Sequence, residues 1–318
     1  MGKPKRRASP AVVGHVNRNL ESLAIRAVVS AVRDTKPPWR RSKFGRRGHK
    51  PRNVAVCCIL QVLLGKTYES MEAYLKEHSL LRHLLHVDKL PTHSVLHRGM
   101  MRISLPYIRR ILRKVTCRLR RQGMTVAVDS SGLSLSSSSK WFDIRIRRKN
   151  SKKDFLKIHI VVDVETGVIL DFTITEGQSG DSPELPRLLR NLPLLAAVLG
   201  DKAYSSRLNC RIACGRGAKP YLRFKVNSTG KAKGYKEWAK AFREYKENPE
   251  AWLAVYHLRS IVEAVFGSLK RRWGGSLRSV RGWMRRKEAA LKVLAYDIKQ
   301  VLYNERAEAT GKGLWVEA

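Results

Sequence analysis

The sequence predicts an α/β protein: a mixed β-sheet with helices on both faces, preceded by an all-helical N-terminal domain. Three observations predict it. Apolar residues recur at helical spacing through most of Leu20–Gln122. After Gly123 the pattern changes to short β-rich runs. From Pro183 onward helices alternate with strands, an order that covers a sheet on both sides.

The 318 residues, 43% of them hydrophobic, suffice for one large or two modest domains with a real core, which excludes a disordered polyelectrolyte. There are 64 Lys+Arg against 26 Asp+Glu, a formal net charge of +38. Such a surface attracts a polyanion, and nucleic acid is the abundant one. Five cysteines and a polar, basic start without an apolar h-region predict reduced thiols in a cytoplasm. Cys57 and Cys58 sit in an apolar run and read as core. Cys210 and Cys214 lack a second pair at zinc-site spacing. The longest apolar stretch, Val54–Leu64, is too short to span a bilayer, so no membrane is expected.

Residues 1–52 hold fifteen Lys/Arg and two acids, Glu21 and Asp34. They read as a basic arm with one helix, carried by Leu20, Leu23, Ala24, Ala27, Val28 and Val32 and ended by Pro37-Pro38. Residues 53–122 read as a helical DNA-binding domain. Its parts are Val54–Leu64, Tyr68–His78, Leu80–Leu85, a helix opened by Thr92 as N-cap, and Leu105–Gln122 with arginines opposite its apolar face. Short helices ending in a basic one suit a helix-turn-helix reader, and equally a helical packing module.

Residues 123–304 read as the sheet domain, and 305–318 as a C-terminal tail. Met124–Val128 is an apolar strand ending at Asp129 and broken by Ser130-Ser131-Gly132. Trp141–Arg147 alternates loosely. Phe155–Val164 and Val168–Thr175 form a hairpin through Glu165-Thr166-Gly167. Then come a helix (Pro183–Leu192), a strand running into Asp201 (Leu194–Leu199), a helix stopped by Gly215 (Ser205–Cys214) and a strand (Tyr221–Val226). Three helices follow: Tyr235–Tyr245, Ala251–Arg272 and Trp283–Tyr303. This order is that of a ribonuclease-H-like mixed sheet.

Asp129 and Asp201 each end an apolar strand, where open sheets collect functional groups. Each alone is also an ordinary turn-capping residue. If the two strands are neighbours, the carboxylates repel unless a cation lies between them, and a hard cation prefers oxygen ligands. In the helix Ala251–Arg272, Tyr256, Arg259 and Lys270 return to the face of Glu263 at about 100° per residue. A glutamate beside an apolar face is costly unless paired or metal-bound. An Arg259–Glu263 ion pair explains two of the four residues and leaves Tyr256 and Lys270 without a reason.

The arrangement Y-x2-R-x3-E-x6-K, with Val126–Gly132 and Gly200–Ser206 as aspartate blocks, resembles the DDE transposases of prokaryotic insertion sequences. Lys157–Ile160, Glu176–Ser182, Tyr68–Met71 and Leu90–Ser94 resemble further family segments, and the likeness spans roughly residues 53–303. The resemblance implies a catalytic, metal-binding triad of Asp129, Asp201 and Glu263 with two Mg²⁺ or Mn²⁺ ions. It implies Tyr256, Arg259 and Lys270, with the neighbouring Lys202, Arg271 and Arg272, as DNA-binding residues. It implies double-stranded DNA (terminal repeats and target) as partner, a homodimer or higher assembly on DNA, and a nucleoid-associated, cytoplasmic, prokaryotic location. The expected activity is two-metal hydrolysis followed by joining of 3′ ends to target DNA. The competing expectations are a nuclease or resolvase of the same fold without strand transfer, a domesticated non-catalytic DNA-binding protein, and an RNA-binding structural protein. Two departures stand out: only 62 positions separate Asp201 from Glu263, and a basic extension precedes residue 53.

Among the other acids and rings, Asp181 reads as a helix N-terminal acid, with a supporting contact to the metal-binding residues as the alternative, and His159 as a packed, hydrogen-bonded histidine in preference to a ligand. Trp273 suits either base stacking or the core.

Overall fold

The computed structural model describes residues 6–41, 48–86, 89–135 and 155–317. The loosely alternating segment Trp141–Arg147 lies outside them. The chain divides into two compact units, one of residues 1–117 with 290–318, the other of 118–289.

In the first unit, α1 (Pro10–Arg18) and α2 (Leu20–Arg33) replace the single helix expected within 1–52. Asn19 separates them, and its Nδ2 donates to the His15 carbonyl at 2.9 Å. α2 buries Ala24, Ile25, Val28, Val29 and Val32 against α3 (Pro51–Leu63) and α7 (Leu105–Val115). α3 is buried nearly all round, Cys57 and Cys58 included, as expected of a central helix. α4 (Tyr68–Glu77) opens with a reciprocal capping box between Thr67 and Ser70 and buries Met71 and Leu75. α5 (Ser79–Leu85) follows, then α6 (His93–Arg102). Thr92 stands at the N-cap of α6 as expected, but its side chain makes no capping bond. The Glu72 carboxylate takes the His93 N–H instead, at 2.6 Å. α7 ends at Val115, where a 3₁₀ turn (Cys117–Leu119) replaces the predicted last helical turns.

The second unit is built on five strands: β1 (Met124–Ser134), β2 (Phe155–Asp163), β3 (Ile169–Glu176), β4 (Leu195–Gly200) and β5 (Lys219–Leu222). Their spatial order is β3-β2-β1-β4-β5; β1 pairs antiparallel with β2 and parallel with β4, and β5 runs parallel to β4. This is the ribonuclease-H-like mixed sheet. β1 does not stop at Asp129. It continues through the Ser-Ser-Gly to Ser134, because β2 offers ladder partners as far as Phe155. The expectation of a break there fails since pairing outweighs the weak strand preference of serine and glycine.

Helices follow the strands. After a 3₁₀ turn (Ser182–Glu184), α8 (Leu185–Leu189) packs on β2 and β3. α9 (Arg207–Cys214) is capped by Ser206, whose Oγ accepts the Asn209 N–H at 3.1 Å. α10 (Lys236–Glu247) and α11 (Pro249–Tyr256) enclose an aromatic cluster in which Phe224 touches Trp238, Phe242, Tyr245 and Trp252. The predicted helix Ala251–Arg272 is not continuous. α11 ends at Tyr256, a 3₁₀ turn covers His257–Arg259, and α12 (Ser260–Trp273) begins anew.

α13 (Gly282–Ala309) begins in the second unit and ends in the first. Of the segment 305–318, residues to Ala309 belong to this helix, and Trp315–Glu317 pair antiparallel with Arg6–Ala8. Leu314 is buried with Val12 and Ala307. Among the described residues no single helix is long and apolar enough to cross a membrane.

Candidate functional site

Asp129 lies within β1, and Asp201 directly follows β4, the parallel neighbour whose Gly200 stands opposite Val128. Gly200 has no room for a side chain: a Cβ there would meet Leu222 at 2.8 Å and Val128 at 3.0 Å. Asp129 Oδ1 accepts the N–H of Ser130 at 2.8 Å, and Asp201 Oδ1 accepts that of Lys202 at 2.6 Å.

Arg259 joins the two ends of the unit. Its Nη1 donates to Asp129 Oδ2 at 2.7 Å and its Nη2 to Glu263 Oε1 at 2.9 Å. One planar guanidinium thus faces two carboxylates, as its fork geometry allows. Burial pushes the Asp129 carboxyl above its ordinary range; the Ser130 N–H and Arg259 oppose this, and the negative charge of Asp201 adds to it. Glu263 is 63% exposed and Arg259 18%. Lys270 Nζ donates to Ser131 Oγ at 2.7 Å, so a cation of α12 joins Arg259 against β1.

Tyr256 departs from the expected stripe. The 3₁₀ turn winds by about 20° more per residue than an α-helix, so three residues rotate what precedes them by about 60°. Tyr256 is 5% exposed and stacks on Trp252 at 5.3 Å, with the Arg259 guanidinium 5.9 Å from its ring. It backs Arg259 from inside. Lys202, Arg271 and Arg272 are exposed. Trp273 is half-buried.

A polar network joins Ser130, Lys157, His159 and Asp181, of which the sequence read only His159 and Asp181. Asp181 caps nothing; its Oδ1 accepts from Lys157 Nζ at 2.7 Å and its Oδ2 from Ser130 Oγ at 3.1 Å. Asp181 stands at the N-cap of the 3₁₀ turn, but both of its carboxylate oxygens are taken by Lys157 and Ser130. His159 is fully buried and hydrogen-bonds Thr175 at 2.9 Å and Tyr204 at 3.2 Å, as expected of a packed histidine. Burial lowers its pKa, against the pull of Asp181. Lys157–Ile160 and Glu176–Ser182 supply Lys157, His159 and Asp181 to this network, and the pairing of Lys157 with Asp181 is what the sequence did not show.

The donors around Asp129, Asp201 and Glu263 are all carboxylate oxygens, the chemistry that suits Mg²⁺ or Mn²⁺. Arg259 already places one positive group against Asp129 and Glu263. Among the described residues no three Asp, Glu, His or Cys side chains stand close enough to hold a metal ion as they are now oriented.

In the first unit an open cleft is lined by Tyr68, Glu69, His93, Ser94, His97 and Arg98.

A family model described as a transposase DDE domain matches residues 120–298. A curated relative from Archaeoglobus fulgidus, a probable transposase for insertion sequence element ISA1214, is 27% identical over 167 residues, 51% of this chain and 50% of the relative. The chain therefore spans about half the length of the curated relative it matches. Among solved structures, the piggyBac transposase synaptic complex with hairpin DNA aligns over 98% of this chain and 80% of its own, at TM-score 0.43 and 10% identity.

Proposed function

Since the chain belongs to the transposase DDE domain family, we propose that it is an insertion-sequence transposase that binds element ends, cleaves DNA and joins the 3′ ends to a target. The observation that carries this reading is the meeting of Asp129 and Glu263 on one guanidinium, with Asp201 at the end of the adjacent strand. Residues far apart in sequence converge beside the end of β4, which an incidental ion pair does not require.

Asp129, Asp201 and Glu263 would hold two Mg²⁺ or Mn²⁺ ions once Arg259 turns away from its carboxylates. Bound there, the ions supply Lewis acidity at the scissile phosphate and lower the pKa of the attacking water or 3′-hydroxyl. Arg259 and Lys270 then bind phosphate oxygens, with Lys202, Arg271 and Arg272 along the backbone. Tyr256 fixes the Arg259 guanidinium from behind. Water attacks phosphorus and the P–O3′ bond breaks, leaving a 3′-hydroxyl and a 5′-phosphate. That 3′-hydroxyl attacks a target phosphodiester and displaces the target's own 3′ oxygen. The positive charge and the exposed polar side chains of α6 support a DNA-binding role for the helical domain. Two ends joined to one target call for at least a homodimer on the DNA, and the site of action would be the nucleoid of a prokaryotic cytoplasm.

The decisive measurement incubates the protein with DNA carrying the terminal repeats and Mg²⁺ and maps the broken bonds. Glu263→Gln is expected to retain DNA binding and lose cleavage; full cleavage by that variant would sink the assignment. Precut ends with a circular target separate a transposase from a nuclease, since only the former yields joined products.

A further inference from the structure

Arg271–Lys287 holds seven basic side chains and no acid. Three are engaged within the unit. Arg285 Nε donates to the Ser279 carbonyl at 2.9 Å, Arg286 Nη1 donates to the Ile174 carbonyl at 2.8 Å and pairs with Glu176, and Lys287 lies 4.6 Å over the Trp283 ring. The other four, Arg271, Arg272, Arg278 and Arg281, are exposed, and among the described residues none has a carboxylate within ion-pair reach.

The loop between α12 and α13 is held in one form despite its exposure. Glu288 accepts the Arg278 N–H at 3.1 Å and the Ser279 N–H at 2.8 Å, so the nearby acid is engaged by the backbone. Ser134 at the end of β1 donates its N–H to the Gly275 carbonyl at 3.0 Å and accepts the Leu277 N–H at 2.8 Å. Leu277 is 3% exposed and anchors the turn. Beyond it, Val280 is 82% exposed and Trp283 43%. Apolar side chains held outward among unpaired arginines suit a partner that offers both anions and flat apolar faces. A nucleic acid offers both.

Ser134, which anchors the loop, lies five residues beyond Asp129 on β1, about 17 Å at about 3.3 Å per residue, a span that one duplex covers. We propose that Arg278, Val280, Arg281 and Trp283 form a second contact surface for double-stranded DNA, beyond the bond facing Asp129. The two arginines neutralise backbone phosphates. Val280 and Trp283 pack against a distorted base step. This proposal rests on the transposase reading, and its test separates the two.

The test titrates the full chain with a fluorescein-labelled duplex across a salt series, alongside a Mg²⁺ cleavage assay. Arg278→Ala combined with Arg281→Ala is expected to reduce the log–log salt slope by about 1.8, two phosphates at about 0.9 each. Trp283→Ala is expected to weaken binding at least about fivefold, with Trp283→Phe restoring most of it, since stacking needs only a flat ring. Thermal melts of the variants check that the unit stays folded. An unchanged slope and affinity in these variants, with a wild-type chain that binds and cleaves, would overturn this surface alone. A wild-type chain without affinity for any duplex would overturn the functional reading and this surface with it.

Discussion

The carboxylate of Asp129 feels burial and the charge of Asp201 on one side, and Arg259 with the Ser130 N–H on the other. Burial dominates, so the charged form is held at a cost that a nearby cation relieves. Arg259 supplies that cation, and only a planar fork reaches Asp129 and Glu263 together at 2.7 and 2.9 Å. A lysine offers one compact charge and satisfies one carboxylate. In the proposed mechanism Arg259 turns to bind phosphate oxygens, where a lysine lacks the two-pronged fork, so Arg259→Lys is expected to lower cleavage about a hundredfold, the scale of a misplaced catalytic group. Its effect on folding stability should stay below about 1 kcal/mol, because Glu263 is well exposed. Parallel cleavage assays and urea titrations check this, and wild-type cleavage by the lysine variant would contradict it.

Helices here meet at spacings their sequences dictate. Gly99 lets α6 approach α3: a Cβ at that position would lie 2.2 Å from Val54 Cγ1. Helix propensity alone favours Gly99→Ala by about 1 kcal/mol. Overpacking costs about 1 to 3 kcal/mol, and valine has one stiff torsion with which to yield. With a contact as short as 2.2 Å the clash wins, so Gly99→Ala is expected to destabilise the first unit by up to about 2 kcal/mol in urea unfolding. Val54→Ala in the same chain should recover most of the loss. A single alanine variant more stable than wild type would show that the two helices separate freely. The interruption between α11 and α12 obeys the same logic at a different site. The 3₁₀ turn leaves Tyr256 in the aromatic cluster and Arg259 facing β1.

Across the whole molecule, charge governs how it meets its proposed substrate. The net charge of +38 gives a long-range attraction that salt screens. Five cations at the candidate site and two on the loop after α12 make seven phosphate contacts, which predicts a log–log salt slope near −6. Affinity for duplex DNA should fall by about a thousandfold or more between about 50 and 200 mM salt. A fluorescence-anisotropy series measures this. A nearly flat response would mean that the positive surface does not hold the DNA.

Periodicity and spacing in the sequence were enough to separate a helical region from a strand-helix alternation, to set Asp129 and Asp201 at two apolar strands, and to mark Arg259, Glu263 and Lys270 on one helical face; that the two strands are neighbours is a pairing of the tertiary structure. These are local patterns, and local patterns survive folding when they agree with the pairing around them. Only the tertiary structure decided that β1 runs on to Ser134, that Tyr256 turns inward, and that Asp181 binds Lys157 and Ser130 instead of a helix end. Each of those outcomes depends on a partner distant in the chain. Ladder bonds, ring stacking and a half-buried ion pair outweigh the small intrinsic preferences that single residues express.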